Sequence, residues 1–117
     1  MTAVAPADVV EVLNAFDNEE IPDSALVREA VKASLRELVA LAPGHSVEVR
    51  VPPHAAVQAI PGVRHRRGTP PAVVETDART WLELAVGRTT WAAAVEAGRV
   101  MASGTRSDLS EYLPLFE

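Results

Sequence analysis

Few residues of this chain have types and spacings that could do chemistry. His45, His54 and His65 all fall in or beside turn-forming sequence. Zinc sites show closer ligand spacing and companion ligands, so no metal site is expected. Ser103 stands in Met101-Ala102-Ser103-Gly104. That run lacks the first glycine of a nucleophile elbow, and Ser103 reads as the end of a strand. Glu75 and Asp77 lie on the same side of an extended segment, but Asp77 is better explained as a helix cap than as an acid–base partner. No glycine-rich phosphate loop is present. No catalytic residue and no cofactor is expected.

Binding is the more promising chemistry. Val63-Arg64-His65-Arg66-Arg67-Gly68-Thr69-Pro70-Pro71 concentrates three arginines and a histidine. Arginine offers forked donors to carboxylate and phosphate oxygens, so Arg64, His65, Arg66 and Arg67 are candidates for an anion or lipid-headgroup site. The same residues also fit a solvated loop whose arginines pair with nearby acids. Trp81 and Trp91 either line a ligand pocket or anchor the core, since tryptophan buries a large area in both cases.

Composition bounds these readings. The 117 residues make one domain, 48% hydrophobic but only 4% aromatic. A chain of this size buries about two-thirds of its extended-chain surface. The core must be built mainly from Ala, Val and Leu, and small side chains leave room for a cavity. Cysteine is absent, so disulfides and thiolate chemistry are excluded. The formal charge of −5 argues against nucleic-acid binding, which depends on neutralising phosphates. No signal peptide and no transmembrane segment is read, and a cytoplasmic location is expected. A protein partner or a homodimer is open.

The elements follow from apolar spacing. Residues 1–22 read as a tail and a short helix, with Val9, Val10, Leu13 and Phe16 as its apolar face and loose packing expected. Residues 23–117 read as the domain proper. Ser24–Ala42 is a helix carrying Val27, Val31, Leu35, Leu38 and Ala42 on one side, capped by Asp23 or Ser24. Ser46–Val51 alternates as a half-buried strand. Pro52-Pro53 breaks its ladder, giving either a hairpin with Ala55–Ile60 or one kinked strand. Ala72–Thr76 is a third strand. Asp77 opens a helix that Gly87 ends, and Thr89 or Thr90 opens another that Gly98 ends. Arg99–Ser103 is a strand, and Ser107 caps a last helix that stops at Pro114. The apolar faces of the C-terminal half would meet one sheet. Their residues are Trp81, Leu84, Trp91, Val95, Val100, Leu109, Leu113 and Phe116, the candidate lining of an enclosed space.

The run Thr80-Trp81-Leu82-Glu83-Leu84 … Gly87 … Ala94-Val95 … Gly98-Arg99-Val100 … Ser103-Gly104 … Leu109 … Leu113-Pro114-Leu115 resembles the C-terminal half of sterol-carrier-protein-like domains. More specifically, the chain is similar to a small bacterial family of that kind. There, segments like Val49-Arg50-Val51-Pro52-Pro53 and Arg66-Arg67-Gly68-Thr69-Pro70-Pro71 precede this half. The resemblance spans roughly Ala30 to Pro114. It implies an α/β (α+β) domain with a curved, mainly antiparallel sheet of four to five strands and helices on one side. It also implies a non-catalytic lipid-binding role, with an apolar cavity for a fatty acid, acyl-coenzyme A or sterol-like ligand. The alternative it leaves is an interaction or accessory module with the cavity filled.

Overall fold

The computed structural model describes residues 3–62, 72–104 and 107–117. Helix α1 (Ala7–Asp17) buries Val9, Val12 and Leu13. Val12 takes the place expected for Val10, which stays exposed. The reason is geometric: Val9, Val12, Leu13 and Phe16 form the i, i+3, i+4, i+7 set, and Val10 lies off that stripe. The helix is not loosely packed, because its buried residues join the same core as those of the next helix.

Helix α2 (Ser24–Leu41) is capped by Asp23, whose carboxylate accepts from the Ala25 and Leu26 N–H groups at 2.8 and 3.3 Å. It buries Val27, Ala30, Val31, Ser34, Leu35 and Leu38. Strand β1 (Val47–Val51) then pairs with β2 (Ala55–Ala59), Val47 opposite Ala59 and Val51 opposite Ala55. The two are a hairpin and not one kinked strand. His54 N–H closes its turn on the Val51 carbonyl at 2.9 Å, and the Pro52–Pro53 bond is cis.

Strand β3 (Ala72–Thr76) lies on the other side of β1 and runs parallel to it. Strand β4 (Val100–Ser103) pairs antiparallel with β3, giving the order β2-β1-β3-β4. The sheet is thus mixed, with two antiparallel pairs and one parallel pair at its centre. Helix α3 (Ala78–Ala85) starts at Asp77, which accepts from Thr80 N–H at 2.8 Å and Thr80 O–H at 2.9 Å. Helix α4 (Trp91–Glu96) starts at Thr90, whose hydroxyl accepts from Ala93 N–H at 3.1 Å.

The expected last helix is reduced to one 3₁₀ turn, Ser110–Tyr112. Ser107 does not cap it. Its hydroxyl donates back to the Gly104 carbonyl at 3.1 Å. Asp108 instead accepts from Ser110 N–H at 2.8 Å, a local turn that competes with helix formation. Beyond it the chain is extended. Leu115 and Phe116 N–H both reach the Ala85 carbonyl, at 2.8 and 3.0 Å, and Phe116 bridges to Ala3. Both side chains are buried.

One face of the sheet carries Val47, Val49, Val51, Ala72, Val74 and Thr76, all buried. Leu35, Leu38, Trp81, Leu82 and Leu84 are buried in the same core. Among the described residues, no buried side-chain nitrogen or oxygen lacks a hydrogen-bond partner. The other face is left by alternation to Glu48 and Arg50 of β1 and to Val73 and Glu75 of β3.

Candidate functional site

The second face of the sheet can be read row by row from the strand register. Ala56, Arg50, Glu75 and Met101 stand side by side across β2, β1, β3 and β4. The next row is Gln58, Glu48, Val73 and Ser103. Apolar side chains therefore lie toward β4, and charged ones occupy the centre.

Helix α4 ends beside β4 and adds Val95. The result is a groove of about 490 Å³ lined by Arg50, Val73, Glu75, Val95, Val100, Met101, Ala102 and Ser103. Its lining is mostly apolar, and the charged residues sit on the β1 side. Val95 is 42% exposed and Met101 69% exposed. A second hollow of about 280 Å³ continues from Arg50 and Glu75 to Pro52, Pro53, His54, Ala55 and Ala56. A third, of about 360 Å³, lies apart between Ile60 and Pro61 and the 3₁₀ turn, against Asp108, Ser110, Glu111 and Tyr112.

The charges at the junction of the first two hollows are unequally matched. Arg50 Nε and Nη2 each donate to one oxygen of Glu48, both at 3.1 Å. Those hydrogen bonds hold the Glu48 carboxyl below the usual carboxylate range, and they raise Arg50 further, with the field of Glu75 adding to the effect. Glu75 lies next to Arg50 in register but receives no side-chain hydrogen bond from a described residue.

The residues singled out from sequence separate into groups. Val95 and Val100 line the groove. Trp81, Leu84, Leu109 and Phe116 are buried in the core, Trp91 is buried on α4, and Leu113 packs partly buried against the same cluster. Arg64, His65, Arg66 and Arg67 lie outside the described residues. His45 Nδ1 is 2.9 Å from Gln58 Oε1, and His54 borders the second hollow. Arg50, Val73, Met101 and Ala102 enter the site unannounced by the sequence, and Glu75, weighed there only as an acid–base partner of Asp77, joins them. Only the parallel pairing of β1 with β3 brings Arg50 and Glu75 together, and no local pattern encodes that register.

Among the described residues, no helix is long and apolar enough to cross a membrane. No curated protein matches the chain. A family model described as bacterial SCP ortholog matches residues 23–115, which takes in every element from α2 to the 3₁₀ turn and leaves α1 outside. With that match over most of its length, and with a four-stranded sheet and helices consistent with the fold, the chain belongs to the bacterial sterol-carrier-protein-like family.

Proposed function

We propose that this domain binds a single-chain lipid without changing it chemically, and that the chain lies in the groove beside β4. Family membership supports a lipid-carrier-type role in general. The observation that carries the specific reading is the exposure of two large apolar side chains, Val95 and Met101, on one groove with Val73, Val100 and Ala102. Water-exposed apolar surface gathered in a concavity is what a hydrophobic ligand covers. The alkyl part of a fatty acid, an acyl-coenzyme A or a sterol-like compound has the right character.

The open shape sets the scale. Full burial contributes about 0.8 kcal/mol per methylene, and a chain covered on one side gains roughly half of that. About ten methylenes then contribute on the order of 4 kcal/mol, the millimolar range before association costs. Tighter binding requires a headgroup contact, or movement of α4 toward the chain. Arg64, His65, Arg66 and Arg67 stand as a separate proposal on sequence grounds alone, an anion site outside the described residues. Native mass spectrometry of freshly purified protein, followed by extraction, tests the reading. A retained amphiphile supports it.

A second reading has its own support. Trp81, Leu84, Leu109 and Phe116 leave no exposed surface worth covering, as expected of an interaction module whose interior is filled. No response to long-chain acids, alkylamines, acyl-coenzyme A or sterol-like compounds, in emission or thermal midpoint, would favour this reading over lipid binding.

A further inference from the structure

The polar end of the groove has a definite sign. Glu48, Arg50 and Glu75 sit in adjacent register positions on the outward face of β1 and β3. Arg50 gives both its Nε and its Nη2 to the Glu48 carboxylate, a forked pairing that satisfies one acid and leaves the other. Glu75 is that remaining acid. It is partly buried, it borders both hollows, and it lies directly across from Met101. Among the described residues, the nearest other cation along β4 is Arg99, which precedes the strand. Its Nη2 is held by Glu83 on α3 at 2.6 Å, and it does not line the groove. Among the described residues, Glu48 and Glu75 against Arg50 leave one unbalanced negative charge beside the apolar floor formed by Val73, Val95 and Met101.

Resting on the groove reading above, we propose that the groove selects an amphiphile whose polar end is a cation, an alkylammonium, with Glu75 as its counter-charge. A carboxylate headgroup at this position meets Glu75 as a like charge and finds Arg50 already engaged. A neutral headgroup is indifferent. An ammonium placed between Glu75 and the Glu48–Arg50 pair keeps its chain on the apolar side, against Met101 and Val95. The site is open to solvent, so the preference is modest and falls with added salt.

The test uses three probes with the same tail: decyltrimethylammonium, decanoate and decyl maltoside. They are titrated below their micelle-forming concentrations at low ionic strength, with backbone amide shifts of Val73, Val95 and Met101 as the readout. The expected result is binding of the cation about fivefold tighter than the carboxylate, the neutral probe between them. Glu75→Gln should bring the three together, and Glu75→Lys should reverse the order. Both variants change an outward-facing side chain, and an unaltered thermal midpoint checks their folding. Equal binding of all three probes, or a preference for decanoate, overturns the charge selection while leaving the groove reading in place. A cation preference unchanged in Glu75→Gln also overturns it. If no probe shifts the groove residues, the groove reading and this inference fall together.

Discussion

The indole N–H of Trp81 donates to Ser34 Oγ at 2.8 Å, and Ser34 in turn donates to the Val31 carbonyl at 2.8 Å. This pair joins α3 to α2 inside the core, where both residues are fully buried. It gives the tryptophan a fixed orientation and explains how a polar hydroxyl is tolerated in mid-helix. Ser34→Ala leaves the indole N–H without its partner in a site closed to water. The expected loss is about 1–3 kcal/mol of stability in chemical denaturation. In a Trp81→Phe background the same serine change should cost much less. Equal costs in both backgrounds would mean that the hydrogen bond carries none of the effect.

A second relationship, between Gly44 and Ile60, holds the hairpin to the end of α2. Ile60 has φ of +76°, a left-handed conformation that a β-branched residue rarely adopts. Its N–H donates to the Ala42 carbonyl at 2.7 Å. Its carbonyl accepts from Ser46 N–H at 3.2 Å and Ser46 O–H at 2.8 Å. Gly44 lies so close that a Cβ there would overlap the Ile60 carbonyl. Gly44→Ala should therefore destabilise the fold by on the order of 3 kcal/mol, read as a drop in thermal midpoint. An unchanged midpoint would mean that the backbone approach is not as close as described.

Helix α2, the four strands and the cap at Asp77 could be read from sequence, and the caps at Asp23 and Thr90 each as one of two neighbours, because each rests on local spacing or on one side chain meeting its own first turn. The C-terminal helix expected from spacing does not form, for a physical reason. Leu109 and Leu113 have helical spacing, but Asp108 bonds its own backbone neighbour. The last residues instead hydrogen-bond to Ala85 and Ala3 in extended form. The groove was illegible because outward-facing strand residues look solvated one at a time. Val73 and Met101 acquire meaning only when the β1–β3–β4 register sets them beside Arg50, Glu75 and Val95.

Acid should weaken the fold through two carboxyl groups, the half-buried Glu48 and the exposed Asp108. Hydrogen bonds from Arg50 hold Glu48 below its ordinary value, and hydrogen bonds from Ser110, side chain and then backbone, do the same for Asp108. A depressed folded-state pKa means that the unfolded chain binds more protons in the acid range. The contribution is complete above the unfolded pKa and is lost as pH falls through the folded one. Thermal midpoints measured down through that range should fall, and the fall should be shallower in Glu48→Gln and in Asp108→Asn. Identical slopes in the wild type and both variants would remove these groups from the account.

A methyl-resolved NMR titration with a single-chain amphiphile shows whether a lipid chain lies against the outer face of β3 and β4. Shifts are expected at Val73, Val95, Val100 and Met101, with Leu35, Leu38 and Leu84 unmoved, and those shifts should be lost in Val95→Trp, which fills the groove. Shifts centred on Leu84, Leu109 and the Trp81 indole, with the groove silent, would contradict it and put the chain between helices and sheet.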